Sequence, residues 1–408
     1  MALFRSRLLA AGLILPFSVN ITSAEQKINP QVRRIVAEVS ESRMRATLEK
    51  LVSFGTRNTM SDTHGSDRGI GAARQWIFNE LQSYSPRLQV RFDKAHFREV
   101  DVNSIVAVLP GNAMADVQVV ISAHYDSASK DGPDAPAPGA NDDGSGTAAV
   151  MELARVLGRY KFDKTLVFMA FAGEEQGLIG SRQLAEKAKA ESQQIEAVLY
   201  NDIIGNALFE NDPISAVNVY VGNIPESPSQ RLGRFTHEIG ELYVPEMKVN
   251  LVLMQDRLGR SGDHSSFQER GFAAVRFTTP WEILADQHNE RDTLENMSVR
   301  YAARVAKVNT AVAATLAMAP NAPITRSASA LGNNVTLRWS PAGADSTITR
   351  YAIVLRPPGS SFWQQEIYVG KVTQYTLKDA SLNGFRFGVK AIGSDGSESL
   401  VSSFEFLK

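Results

Sequence analysis

Two glutamates stand side by side where an apolar run ends, in the stretch FMAFAGEEQG from Phe168 to Gly177. The run Thr165 to Ala172 reads as a strand buried on both faces. Glu174 and Glu175 would repel each other there unless a cation or a shared proton separates their roles. Other side chains able to bind metal or move protons fall at equivalent places. His124 opens HYDS, Asp142 and Asp143 lie in GANDDGSG, Asp202 ends AVLYND, and His288 lies in DQHNERDT. Each sits at the end of an apolar run or in the loop after it.

Imidazole plus carboxylate suits zinc or another borderline divalent ion, and the chain has no Cys to offer a thiolate. Two ions can be arranged on these residues. His124, Asp142 and Asp202 would hold one, and His288, Asp142 and Glu175 the other, with Asp142 bridging. Glu174 is then left over beside Glu175, free to take a proton from an attacking water and return it to a leaving group. Two ions would lower the pKa of that water and polarise a substrate carbonyl. The chemistry implied is hydrolysis.

Such residues converge only if the elements carrying them end on one edge. Helical periodicity covers Val32 to Val52 and Gly71 to Tyr84 around a polar loop, TRNTMSDTHGSDRG. Strands are predicted at Leu88–Phe92, Ser104–Leu109, Val117–Ser122, 165–172, in AVLYNDIIG, at Val217–Val221 and in GFAAVRFT. Helices are predicted from Gly144, over Ser181–Glu191, Ser229–Tyr243 and Val299–Met318. This alternation predicts an α/β domain, a mostly parallel central sheet flanked by helices. Sites in such folds lie at the carboxyl ends of the strands. After APNAPITR, near Pro320, short alternating strands with turn signals predict a small antiparallel β-sandwich.

The order HYDS, GANDDGSG, GEEQGLIGS, ND, GDHSSF and QHNERDT resembles the secreted di-zinc aminopeptidases of the bacterial leucyl aminopeptidase and glutamate carboxypeptidase II type, over roughly Arg43 to Met318. The resemblance implies a zinc exopeptidase fold and two Zn²⁺ ions. It implies His124, Asp142, Glu175, Asp202 and His288 as ligands and Glu174 as the acid/base. Asp126 would orient His124 from behind, Asp143 would stand beside Asp142, and the Asp142–Asp143 bond would be cis. His264 in GDHSSF is the rival to His288; His64, His96 and His237 lie outside the motifs. Ile203, Phe267, Trp281 and Ile283 are expected to line an apolar side-chain pocket. The ligand loop departs from the commoner HTPxDT, and there is no room for a protease-associated insert. Residues 320–408 resemble a fibronectin type III module, with Trp339 and Tyr351 as its core aromatics.

Arg5 and Arg7, the apolar run Leu8–Phe17 and the small residues Thr22 and Ala24 read as a signal peptide over 1–24. The run is too short to span a bilayer. A peptidase domain over 25–319 would follow, in an exported chain that is periplasmic or extracellular. Loss of Arg5 and Arg7 takes the formal charge from -1 to -3, which gives no field for nucleic acid. The expected partner is a peptide substrate, and a monomer is favoured. The leading function is removal of N-terminal residues from peptides. Alternatives on the same scaffold are a carboxypeptidase or dipeptidase, a glutaminyl cyclase, or a non-catalytic binding protein.

Overall fold

The structure is a computed structural model in which residues 28–205, 208, 211, 214–256, 261–343 and 346–405 are described. The signal peptide expected over 1–24 lies outside the described residues. The larger part is built on eight strands: β1 (Gln89–Phe97), β2 (Val100–Leu109), β3 (Met114–His124), β4 (Lys164–Phe171), β5 (Gln194–Asn201), β6 (Ser215–Tyr220), β7 (Met247–Val252) and β8 (Ala274–Thr278). They form one sheet in the order β1-β2-β4-β3-β5-β8-β6-β7. The central run β4-β3-β5-β8 is parallel throughout. Its four carboxyl ends therefore open on one edge.

Helices cover both faces. One face carries α1 (Pro30–Ala37), α2 (Glu41–Ser53), α3 (Gly69–Tyr84), α4 (Gly144–Leu157), α6 (Pro228–Tyr243) and α8 (Val299–Met318) over the larger core. The other carries α5 (Ile179–Ala190) and the short α7 (His264–Gln268) over a smaller one. Sandwiched between the two cores, β4 is buried at every position. Even Lys164 is inside, paired with Glu196 at 2.6 Å. α4 and α8 are almost wholly buried, and their many alanines allow the backbones to approach closely.

One expectation is corrected and two features are added. The stretch read as helical from Val32 to Val52 is two helices, because the Ser40 side chain accepts from Arg43 N and caps a new start at Glu41. β1 and β2 are a long antiparallel hairpin that extends the sheet beyond its parallel centre. Met247–Val252 is a further strand, a half-exposed edge with a short buried–exposed alternation.

After α8 come β9 (Ile324–Leu331), β10 (Asn334–Ser340), β11 (Ile348–Arg356), β12 (Gln365–Gly370), β13 (Gln374–Leu377), β14 (Arg386–Gly393) and β15 (Ser402–Ser403). They form two antiparallel sheets, β13-β10-β9 and β12-β11-β14-β15, around a shared core. Trp339 and Tyr351 meet edge to face at its centre, with ring centroids 5.6 Å apart.

Candidate active site

The carboxyl ends of β3, β4, β5 and β8 border a cleft of about 860 Å³ lined by His124, Asp142, Glu174, Glu175, Asp202 and His288 among others. Two groups of donors lie at its head. His124, Asp142 and Asp202 form one, and Asp142, Glu175 and His288 the other, each with ligand atoms within 4.8 Å of one another. Asp142 belongs to both. Its Oδ1 is 3.4 Å from His124 Nε2 and its Oδ2 is 3.2 Å from His288 Nε2. Glu175 Oε1 is 3.1 Å from the same His288 nitrogen. Asp202 Oδ1 lies 3.6 Å from His124 Nε2, too far for a hydrogen bond, and is a buried acceptor with no donor.

The electrostatics show what such a cluster needs. Burial opposes charge on His124, but Glu174, Asp126, Asp142 and Asp202 outweigh it and hold the imidazole well above its ordinary range. Hydrogen bonding to Asp142 and Glu175 pushes His288 up to about 10. Carboxylates packed this closely demand positive charge among them. A divalent cation would supply it, and the imidazole–carboxylate donor set fits zinc.

Backbone geometry aims these side chains. The Asp142–Asp143 peptide is cis, as the resemblance implied. Asp143 caps α4, its Oδ1 accepting from Gly146 N at 2.8 Å, while its Oδ2 accepts from His124 N at 3.2 Å. It thus ties the end of β3 to the start of α4 and belongs to neither donor group. Asp126 does more than orient an imidazole. Its main-chain oxygen lies 3.1 Å from His124 Nδ1, and its carboxylate accepts from Glu174 N at 3.4 Å and Glu175 N at 3.3 Å. One buried residue therefore fixes both, the histidine through its main-chain oxygen and the glutamate pair through its carboxylate. Glu174 itself lines the cleft and belongs to neither donor group. Burial raises its carboxyl well above the usual carboxylate range, against the pull of His124.

Of the four residues expected to form an apolar pocket, only Ile203 lines the cleft. Phe267 is 1% exposed and packs 6.1 Å from Phe171 in the smaller core. Trp281 is 69% exposed and projects to solvent. Ile283 is half-buried and does not line the cleft. His264 is buried against Tyr200, outside both donor groups, and burial lowers it to about 4.

Three positioning residues were missed. Arg57 is fully buried, with Nε donating to Tyr125 O at 2.8 Å and its Nη atoms to Pro138 O at 2.5 Å and Gly139 O at 2.8 Å. It ties the loop after His124 to the loop before Asp142. The Asp292 carboxylate accepts from Asn141 N at 2.8 Å and Asp142 N at 2.9 Å, clamping the bridging residue from the His288 loop. Arg276 reaches Asp202 from β8. Asp292 stood within the QHNERDT motif and could have been found there. Arg57, in a polar loop, gave no signal. Arg276 gave one, a lone charge in a strand that is otherwise apolar or uncharged.

A largely parallel sheet with two imidazole–carboxylate groups sharing one aspartate at its edge defines a metallopeptidase scaffold. Residues 104–313, just over half of the chain, match peptidase family M28, and the chain belongs to that family. It is 38% identical over 415 residues to a probable zinc metalloprotease of Pyricularia oryzae, covering 89% of this chain and 82% of the relative. A probable zinc metalloprotease of Pyrenophora teres f. teres is 34% identical over 431 residues, covering 94% and 89%. Among solved structures, the LapA aminopeptidase of Legionella pneumophila superposes with a TM-score of 0.60 at 22% identity, over 72% of this chain and 76% of that one. The glutaminyl cyclase of Macrostomum lignano superposes at 0.56 and 17% identity, over 74% and 94%. At those identities the likeness is one of fold.

Proposed function

We propose that this protein is a zinc-dependent exopeptidase that hydrolyses the N-terminal peptide bond of peptides. The observation that carries the reading is the cleft in which two donor groups share Asp142 while a half-buried carboxylate, Glu174, stands beside them outside both. In the proposed arrangement His124, Asp142 and Asp202 hold one Zn²⁺, and His288, Asp142 and Glu175 a second. When bound, zinc would acidify water and polarise the scissile carbonyl. Glu174 takes the proton of the attacking water and delivers it to the leaving nitrogen, a role suited to a carboxyl whose pKa burial has raised. Asp126 keeps Glu174 in place through its main-chain N–H.

We read residues 25–319 as the peptidase domain and 320–408 as a fibronectin type III-like module. Residues 1–24 are read as an export signal, which places the mature chain in the periplasm or outside the cell. Among the described residues no helix is long and apolar enough to cross a membrane.

The test is hydrolysis of an aminoacyl-anilide, its N-blocked form and a peptide with a free C-terminus, each with and without chelator. The reading expects cleavage of the free-amine substrate alone, abolished by chelation and restored by zinc. Release from the C-terminus, cyclisation of an N-terminal glutamine in place of cleavage, or full activity without metal would overturn it.

A further inference from the structure

Asp202 is held from two sides. Its Oδ1 faces His124, and its Oδ2 lies 3.2 Å from Arg276 Nη2. Arg276 comes from the middle of β8 and is fully buried, although the cleft touches it. Tyr200, one strand over on β5 and opposite Arg276 in the register, occupies the same face of the sheet. The guanidinium is also shared with two carboxylates from loops rimming the cleft. Nη1 bonds Asp256, in the loop after β7, and Nη2 lies 3.5 Å from Glu282, in the loop after β8. Asp256 is as deeply buried as Arg276.

The physical consequence follows from sharing. A carboxylate whose second oxygen is engaged by a guanidinium offers its first oxygen in one fixed direction. Its charge toward a cation depends on how much of the arginine's charge other anions absorb. Asp256 pairs with Nη1, while Asp202 and Glu282 share Nη2. Among the described residues no arginine or lysine pairs with Glu175, the terminal carboxylate of the other donor group, which faces His288.

Resting on the dinuclear reading above, we propose that Arg276 is the positioning residue of Asp202, and that Asp256, acting through Arg276, sets how tightly a cation is held at the His124/Asp202 position without changing the His288/Glu175 position. Asp256 touches neither donor group, so its effect is transmitted. Replacing Asp256 by Asn leaves Arg276 to spend its charge on Asp202, removes one nearby negative charge and loosens the guanidinium. All three changes weaken a cation beside His124.

The experiment is zinc titration of the metal-stripped full-length chain against a chromophoric chelator. The wild type binds two ions. Asp256→Asn weakens one of them by about tenfold, the low end of what losing an outer partner of a metal ligand typically costs, and leaves the other at its wild-type affinity. The Glu175→Gln background, with the other position disabled, retains the tenfold effect, and the Asp202→Asn background loses it. Arg276→Lys keeps the charge but not the planar fork, and weakens the same ion. It is the second probe should metal-stripped Asp256→Asn melt below the titration temperature. Equal weakening of both ions, or no change in either variant, overturns the proposal. A wild type that binds fewer than two ions overturns the dinuclear reading instead, so the two failures are distinguishable.

Discussion

Glu174 and Glu175 are neighbours to which the proposal gives opposite duties, and the difference is one of direction. Both donate their main-chain N–H groups to the Asp126 carboxylate, yet Glu175 reaches His288 and Asp142 while Glu174 stays outside both donor groups. Glu174→Gln keeps the shape of the side chain and removes its ability to carry a proton. The variant should bind as much zinc as the wild type and lose on the order of 10²–10⁴-fold in turnover. Metal content measured on the purified variant separates this from the alternative: loss of an ion would make Glu174 a ligand and leave the base unassigned. Asp143 shows a division of another kind, since it caps α4 and holds the His124 backbone at once. Its neighbour Asp142 is thereby freed to face both imidazoles.

Elements place these residues through a few buried polar contacts. The end of β5, which presents Asp202, is fastened to α8 by a reciprocal amide pair. Asn309 Nδ2 donates to Asn201 Oδ1 at 2.9 Å, and Asn201 Nδ2 to Asn309 Oδ1 at 3.2 Å, both residues fully buried. Asn309→Ala strips Asn201 of that partner in an apolar setting, which typically costs about 1–3 kcal/mol. A urea midpoint lowered at unchanged slope is the expected result, and an unchanged midpoint would show that water replaces the lost amide. These contacts also explain what could be read in advance. The parallel centre and α8 were legible because their apolar periodicity is strong, and α8 begins and ends as expected, at Val299 and Met318. The donors were legible because each ends an apolar run or lies in a loop after one. Ser40 was not, because one hydroxyl interrupts an otherwise continuous amphipathic pattern. Trp281 and Phe267 were misplaced for the same reason: apolar character says that a side chain prefers burial, not which surface receives it. Arg57 bonds carbonyls, which carry no side-chain signature, so only the folded chain reveals its work.

At the scale of the whole molecule, the C-terminal sheets are fastened to the larger part by charge. Arg356 on β11 and Arg234 on α6 share Glu226, and Arg234 Nε donates to Ser361 O at 2.8 Å. Lys390 on β14, nearly buried, pairs with Glu398 at 2.6 Å and reaches Glu238 on α6 at 3.4 Å. His237 stacks on Phe362 with centroids 4.1 Å apart, and Leu400 inserts into the larger core. The proposed ligands and base lie between His124 and His288, and none of the described residues lining the cleft comes from beyond Pro320. Truncation after Ala319 should therefore lower the melting temperature, because it opens a gap where Leu400 packed and leaves Glu238 without Lys390. Turnover of a small aminoacyl-anilide should survive in whatever fraction remains folded. Arg356→Met tests the same seam with the module in place: it should reduce stability modestly while leaving activity intact, since Glu226 loses one of its two arginines and keeps Arg234. A soluble, zinc-loaded truncation with no activity on the small substrate would mean that the module shapes the cleft from a distance. Loss confined to long peptides would instead assign it a role in presenting substrate.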